Sequence, residues 1–277
     1  MFSLPSATIF TLGHFQLRWY GLFAALALLT GYGMLALRRR RSHLTLEEIS
    51  ALLNCSVLFG ILGARLEYVR RFWGESFSRD PLGVFRIWEG GLVFQGGFIL
   101  ALVAILVLCR RRKWSMGRIG DLMAPALPAA HAVARLGCLF NGCCFGKPWS
   151  HWGALLYPPD GNDVLHTQAL QGLLPPGATA PLPVFPVQAL EALWCLLLTC
   201  AILLAEKRGW LNHRRFFLYL FGYSLGRLLL EFLRGDYHHT ELLTPAQWTT
   251  ALLILPATLA ALLWSRRKSL HDPQAGK

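Results

Sequence analysis

Residues 19–41 read WYGLFAALALLTGYGMLALRRRR, nineteen positions without a charged side chain followed by four consecutive arginines. A hydrocarbon core of about 30 Å takes about 20 helical residues, and a helix satisfies its own backbone where no water is present to do so. The arginines mark the end of such a helix that stays on the cytoplasmic side. Working outward, two more runs are free of charge, Gly90 to Cys109 and Leu242 to Ser265. Four weaker stretches each include charge: Ala51 to Val69 (Arg65, Glu67), Leu122 to Gly146 (Arg135), Val184 to Ala205 (Glu191) and Arg215 to Leu233 (Arg227, Glu231). Each of these four is either a poor span or a functional one.

The composition agrees with a polytopic membrane protein. Of 277 residues 54% are hydrophobic and 15% charged, against about 25% charged in an ordinary soluble domain, and the mean hydropathy is +0.42. The net charge of +12 comes without the polar surface that a nucleic-acid binder needs, so no nucleic acid is expected. Basic clusters recur with one period: Arg38 to Arg41, Arg110 to Lys113, Lys207 to Arg215 and Arg266 to Lys268. Every second crossing therefore returns to a basic loop. This predicts an all-α fold of seven transmembrane helices, N-terminus outside and C-terminus cytoplasmic, with 17 of the 27 Lys and Arg on the inner side. The organisation expected is one membrane domain over residues 1–277, with 147–183 as an extracytoplasmic loop, turning at Tyr157 to Asp160, and 266–277 as a cytoplasmic tail. Met1 to His14 has no basic n-region before an apolar core, so a cleaved signal peptide is not expected.

Charge inside a span marks a site. An arginine near the bilayer centre costs about 2.5 to 3.5 kcal/mol on insertion scales, so it persists where it is partnered or working. Arg227 and Glu231 are four apart on one helix and close enough to pair, which reads equally as a self-neutralising structural pair. Arg135 has no acid nearby in sequence and lies among Gly137, Asn141, Gly142 and Gly146. Two guanidinium forks from different helices would clamp a phosphate, and glycines would let an anionic headgroup approach the backbone; singly, they serve helix packing. A proton or ion path would instead use Asp121, Glu191 and Glu231. His131, one turn before Arg135, is either a packing residue or a neutral base beside a cation. Gln95, in GGLVFQGGF, is a polar intruder that orients but cannot take a proton.

Seven cysteines are too few for a disulfide scaffold at this length. Cys55, Cys109, Cys195 and Cys200 lie in apolar stretches and read as packing residues. Cys143 and Cys144 are adjacent, and with Cys138 they lack the CxxC spacing of a zinc site, so no metal is expected. Packing is the plainer reading of these thiols, a redox or acyl-carrying role the other. A GxSxG elbow and a P-loop are both absent.

Taken in order, the motifs resemble the bacterial prolipoprotein diacylglyceryl transferases. Arg18-Trp19-Tyr20-Gly21 is similar to an opening RWYG, followed by Gly63-Ala64-Arg65-Leu66 with Tyr68, then Trp88-Glu89-Gly90-Gly91 running into Gly96-Gly97. Ala124-Pro125, Ala134 to Gly137 and Asn141-Gly142 resemble the family's GRxGNxxNG signature. Pro186, Gln188 and Glu191 resemble its HPxQLYE element, Gly226-Arg227 through Glu231-Phe232 and Arg234 its penultimate helix, and Ala246-Gln247 the opening of its last.

The resemblance implies a seven-helix enzyme of the bacterial inner membrane, without cofactor. Its partners would be phosphatidylglycerol, prolipoprotein signal peptides with a lipobox cysteine, and membrane lipid. It would move the diacylglyceryl group to the cysteine thiol, leaving a thioether and glycerol phosphate. By matched position, Arg135 and Arg227 would hold phosphate charge, Tyr20 and Asn141 would orient substrate, Glu231 would position Arg227, and Gly142 and Gly146 would admit lipid. The chain departs from the pattern at several places. Gln95 stands where the family has a His thought to serve as base, Cys138 and Cys143 stand for an Asn and a Glu, and Phe185 and Leu190 for the His and Tyr of HPxQLYE. His131 is expected to take over the base role. A family member that binds lipid or precursor without chemistry, and an unrelated transporter, are the alternative readings.

Overall fold

The computed structural model describes residues 1–13, 15–87, 90–159, 163–236, 247–248 and 250–270. Trp88 and Glu89, Asp160 of the expected turn, Ala246 and residues 271–277 of the expected tail lie outside these described residues. The described chain is mostly helical, as expected, with two small sheets that the all-α reading did not anticipate. Among the described residues four helical stretches are long and apolar enough to cross a membrane: Trp19–Ser42, Leu46–Phe77, Met116–Asn141 and Val187–Lys207. By contact the chain divides into two compact units, residues 35–122 and residues 1–34 with 123–277.

In the 35–122 unit, helices α2 (Leu46–Phe72) and α3 (Phe94–Arg111) form the main pair. Strand β1 (Phe2–Ser3), strands β2 (Thr8–Leu12) and β3 (Phe15–Arg18) and helix α1 (Trp19–Ser42) precede them. Helix α2 opens on a capping box, Glu48 N–H donating to Thr45 Oγ1 at 3.2 Å and Thr45 N–H to Glu48 Oε2 at 2.9 Å. Its backbone then meets that of α3 so closely at Gly63 and Gly96 that a Cβ on either would run into the other's carbonyl oxygen, the small-residue contact of helices in lipid.

The charges of α2 are accounted for within this unit. Arg65 is buried and donates to the carbonyls of Val84 (2.8 Å), Gly90 (2.7 Å), Gly91 (3.1 Å), Gly83 and Arg86, with Tyr68 and Phe77 beside it. It pins the loop between α2 and α3. Glu67 pairs with Arg70 and Arg71, each at 2.8 Å. The third apolar helix begins later than its uncharged run suggests. Gly90 and Gly91 have φ of +90° and +76°, incompatible with a helix, so α3 starts at Phe94.

Helix α4 (Met116–Met123) ends the 35–122 unit. The fourth apolar stretch is interrupted at Ala124-Pro125 and resumes in the other unit as α5 (Ala126–Asn141), which ends before Gly146 because Gly142 adopts a left-handed C-cap, φ +71°. Strand β4 (Leu155–Leu156) and helix α6 (Asp163–Leu170) lie in the expected long loop. Helices α7 (Val187–Lys207) and α8 (Arg215–Glu231) follow, then a π-helical turn at Thr250–Ile254 and α9 (Leu255–Leu270).

Helix α7 packs against both α5 and α8. Ala132, Ala192 and Cys195 close one contact, and Gly222 and Gly226 admit Leu198 and Trp194 to the other. The long loop has its own core, Phe145, Leu155, Tyr157, Val164 and Val184. Strand β1 pairs in parallel with β4, Phe2 opposite Leu155, while β2 and β3 form an antiparallel hairpin. Gly146 lies where three backbone segments meet. Its N–H donates to the Phe185 carbonyl, Lys147 N–H donates to Leu233 O and Gly235 N–H to Phe145 O, so the long loop is tied to the start of α7 and the end of α8.

Candidate active site

The charged residues of three helices meet in one network. His131 and Arg135 share a face of α5, and Arg135 Nε–H donates to His131 Nε2 at 2.9 Å. Glu191, 4% exposed on the first turns of α7, places Oε1 3.1 Å from Arg135 Nε and 3.4 Å from His131 Nε2. The Nε proton is directed at the imidazole, so the Arg135 to Glu191 contact is ionic rather than a second hydrogen bond. The other carboxylate oxygen lies 4.0 Å from Arg227 Nη1 of α8. Glu191 thus holds the guanidinium groups of Arg135 and Arg227 on either side of a single carboxylate.

Beyond Arg227 the network continues. Arg227 Nη2 pairs with Glu231 Oε2 at 2.7 Å, one helical turn on, and Arg234 Nε lies 3.8 Å from the same oxygen while also binding Asp236. Burial raises the Asp236 carboxyl above its ordinary range, and the Arg234 guanidinium opposes that shift. Three arginines face three carboxylates, so the network is close to neutral before any ligand enters. Among the described residues Arg227 Nη1, Glu191 Oε1 and Gln188 Oε1 are buried without a hydrogen-bond partner. An unmatched donor on a guanidinium, in a region shielded from water, is an arrangement that receives the oxygen of an anionic ligand.

Supporting contacts come from α7 and the long loop. Gln188 Nε2 donates to the Cys143 carbonyl at 2.9 Å and lies 3.3 Å from Tyr157 Oη, whose hydroxyl donates to Leu139 O at 2.7 Å. Burial pushes the Tyr157 phenol above its ordinary range, with the Gln188 contact opposing. The ring of Tyr223 lies 5.1 Å from that of His131. Trp194 Nε1 donates to Gly222 O at 3.0 Å beneath Arg227's turn of α8.

The residues singled out from sequence divide clearly. Arg135, Arg227, His131 and Glu231 come together in the network. Tyr20 is half exposed on the first turn of α1, whose backbone crosses α5 at Gly137. Asn141 and Gly142 end α5. Gly146 has a different setting from the one expected, since a Cβ there would lie 2.5 Å from Phe185 O and 3.1 Å from Leu233 O. The room it leaves is filled by protein backbone. Gln95 stands exposed on the first turn of α3, in the 35–122 unit. His131 is also not a bare base, because its Nε2 receives Arg135. The sequence offers Glu191 only as a transport carboxylate and a motif position, yet it is the hub; its signal is that it is the one charge in an otherwise apolar stretch. Arg234 and Gln188 were motif positions without an assigned role.

The comparisons with known proteins agree with the motif order. The family model for prolipoprotein diacylglyceryl transferase matches residues 7–264. The chain is 31% identical to the phosphatidylglycerol–prolipoprotein diacylglyceryl transferase of Parasynechococcus marenigrum (strain WH8102), over 99% of this chain and 98% of that protein. It is 32% identical to the protein of the same name from Paraburkholderia phymatum, over 93% and 92%, and 31% identical to that of Paenarthrobacter aurescens (strain TC1), over 99% and 87%. With a match along nearly its whole length, and with the three-helix arginine network at its centre, the chain belongs to the prolipoprotein diacylglyceryl transferase family.

Proposed function

We propose that the chain transfers the diacylglyceryl group of phosphatidylglycerol to the lipobox cysteine thiol of prolipoproteins, forming a thioether and releasing glycerol phosphate. The observation that carries this reading is the pair of arginines from α5 and α8, held together by Glu191, with Arg227 Nη1 open to an acceptor. The leaving group carries its charge on phosphate oxygens, and donors fixed in advance lower the barrier by stabilising charge as it develops. Arg135 and Arg227 take that charge, Glu231 and Glu191 hold them, and Tyr20 and Asn141 orient the lipid.

The thiol must also lose its proton to become a nucleophile. His131 Nε2 is engaged by Arg135 at rest. When Arg135 turns its guanidinium to phosphate, Nε2 is freed beside Glu191 Oε1, where a proton taken from the thiol is stabilised by the carboxylate. Lipid binding thereby switches on the base. Seven crossings, with the N-terminus outside, the C-terminus cytoplasmic and the site open to the outer leaflet of the bacterial inner membrane, complete the reading. It is supported by the apolar runs and by the alternation of basic loops.

The test is growth rescue. Cells depleted of their own transferase and supplied with this chain are expected to grow and to carry diacylated prolipoprotein. Arg227→Ala abolishes both. Lack of rescue by a stably expressed wild-type chain contradicts the proposal.

A further inference from the structure

Three thiols adjoining the charged network converge at the end of α5. Cys138 sits on its last turns, and beyond Asn141 the chain reverses through two left-handed residues, Gly142 at φ +71° and Cys144 at φ +57°. The Sγ atoms of Cys138, Cys143 and Cys144 consequently lie within 4.8 Å of one another. A three-sulfur shell with bonds of about 2.3 Å spaces its sulfurs by about 4 Å, so these thiols already stand near ligating separation. The zinc spacing missing from the sequence is replaced here by backbone reversal. Left-handed backbone at a residue with a side chain is unfavourable and recurs where function requires it; at Cys144 it brings the sulfur to its two neighbours.

The surroundings suit an anionic sulfur cluster. Arg135 Nη1 donates to Cys138 Sγ at 3.7 Å, and the guanidinium groups of Arg234 and Arg135 both lie near enough to act electrostatically on Cys144. Three thiolates around a monovalent cation carry a charge of −2, which the nearby guanidinium groups, themselves paired with carboxylates, partly offset. Among the described residues the group comprises these three ligand atoms. Three soft donors without a fourth favour a thiophilic monovalent ion over tetrahedral zinc.

We propose that Cys138, Cys143 and Cys144 form a three-coordinate thiolate site for a soft monovalent cation, with Cu(I) as the probe. Binding replaces three S–H bonds by three metal–sulfur bonds and releases three protons, with no change of oxidation state. The site goes beyond the transferase reading and does not depend on it.

The experiment uses the full chain, purified reduced and without oxygen in detergent micelles. Cu(I) is titrated in competition with bathocuproine disulfonate, and the metal's first shell is read by X-ray absorption. One equivalent per chain with three sulfurs is expected, together with a rise in melting temperature from binding to the folded state. Cys138→Ser, Cys143→Ser and Cys144→Ser should each weaken retention by at least about tenfold. A variant with Cys55, Cys109, Cys195 and Cys200 all changed to Ala should retain the full equivalent, which keeps the test decisive where a serine variant fails to fold. No retention at one equivalent overturns the proposal. So does retention unaffected by the three serine changes, a shell of two sulfurs or of four ligands, loss of copper in the four-alanine variant, or a disulfide among these three thiols in freshly isolated protein.

Discussion

Replacing Glu191 by Gln keeps the shape of the hub and removes its charge. The carboxylate lies 3.1 Å from Arg135 and 4.0 Å from Arg227. Removing one partner of a buried ion pair costs about 3 to 5 kcal/mol. At an effective dielectric constant of about 20, unit charges 4 Å apart interact by about 4 kcal/mol, so each guanidinium loses an attraction of that order when the neutral amide replaces the carboxylate. If about 3 kcal/mol of this loss falls on the transition state, kcat drops about 10²-fold. The network meanwhile gains one net positive charge, so it holds an anion more tightly, by about tenfold for a gain of about 1.4 kcal/mol. The assay is diacylglyceryl transfer to a fluorescent lipobox peptide in phosphatidylglycerol micelles, with inhibition by glycerol phosphate measured in parallel. A lower kcat with tighter glycerol phosphate inhibition is expected from Glu191→Gln. A variant that melts like the wild type and keeps kcat within about threefold, with unchanged inhibition, would refute the role given to Glu191.

Other outcomes follow from individual contacts. Arg135→Lys keeps a charge but loses the Nε–H that engages His131 and the planar fork for phosphate, so activity should fall at least about tenfold in the same assay with little change in melting temperature. Gly146→Ala forces a methyl group against Phe185 and Leu233 backbone, and overpacking of this kind costs about 1 to 3 kcal/mol; thermal unfolding should shift downward. Arg65→Ala removes a donor shared by five loop carbonyls, of which that of Gly83 still accepts from Arg86 N–H, and should destabilise the chain by about 3 kcal/mol, with limited proteolysis cutting between residues 83 and 91 first. Tyr157→Phe removes the hydroxyl that donates to Leu139 and accepts from Gln188, each bond worth about 1 kcal/mol, and should be visible by melting while transfer continues.

Much of the architecture is legible in the sequence because lipid imposes it. Uncharged runs locate α1, α3 and α9, and the charged stretches locate α2, α5, α7 and α8. What the runs leave out is set by backbone detail, such as the positive φ of Gly90 and Gly91 that delays α3 and of Gly142 that ends α5. The small strands escape notice for another reason. Phe2 and Ser3 have no pattern of their own and become a strand through pairing with Leu155 and Leu156.

The site divides along the same line. Arg135 and Arg227 stand out because isolated arginines in apolar helices demand explanation, and the spacing of Arg227 and Glu231 already gives their pairing. Glu191 is equally isolated in its helix, but only the packing of α7 between its neighbours puts it against Arg135, and no spacing along the chain encodes that contact. Gly146 reads as open space in sequence and is a crossing point of backbones in the fold. The three thiols are likewise separated by spacing and joined by the turn at Gly142 to Cys144.

The most direct test of the account is transfer itself. Purified protein in phosphatidylglycerol micelles, given a peptide with a lipobox cysteine, is read by mass spectrometry for diacylglyceryl addition at that cysteine. The account predicts the added mass with the wild-type chain and its loss with Arg135→Ala and with Arg227→Ala. Unmodified peptide with the wild-type chain beside an active control enzyme, or full modification by both arginine variants, would contradict it.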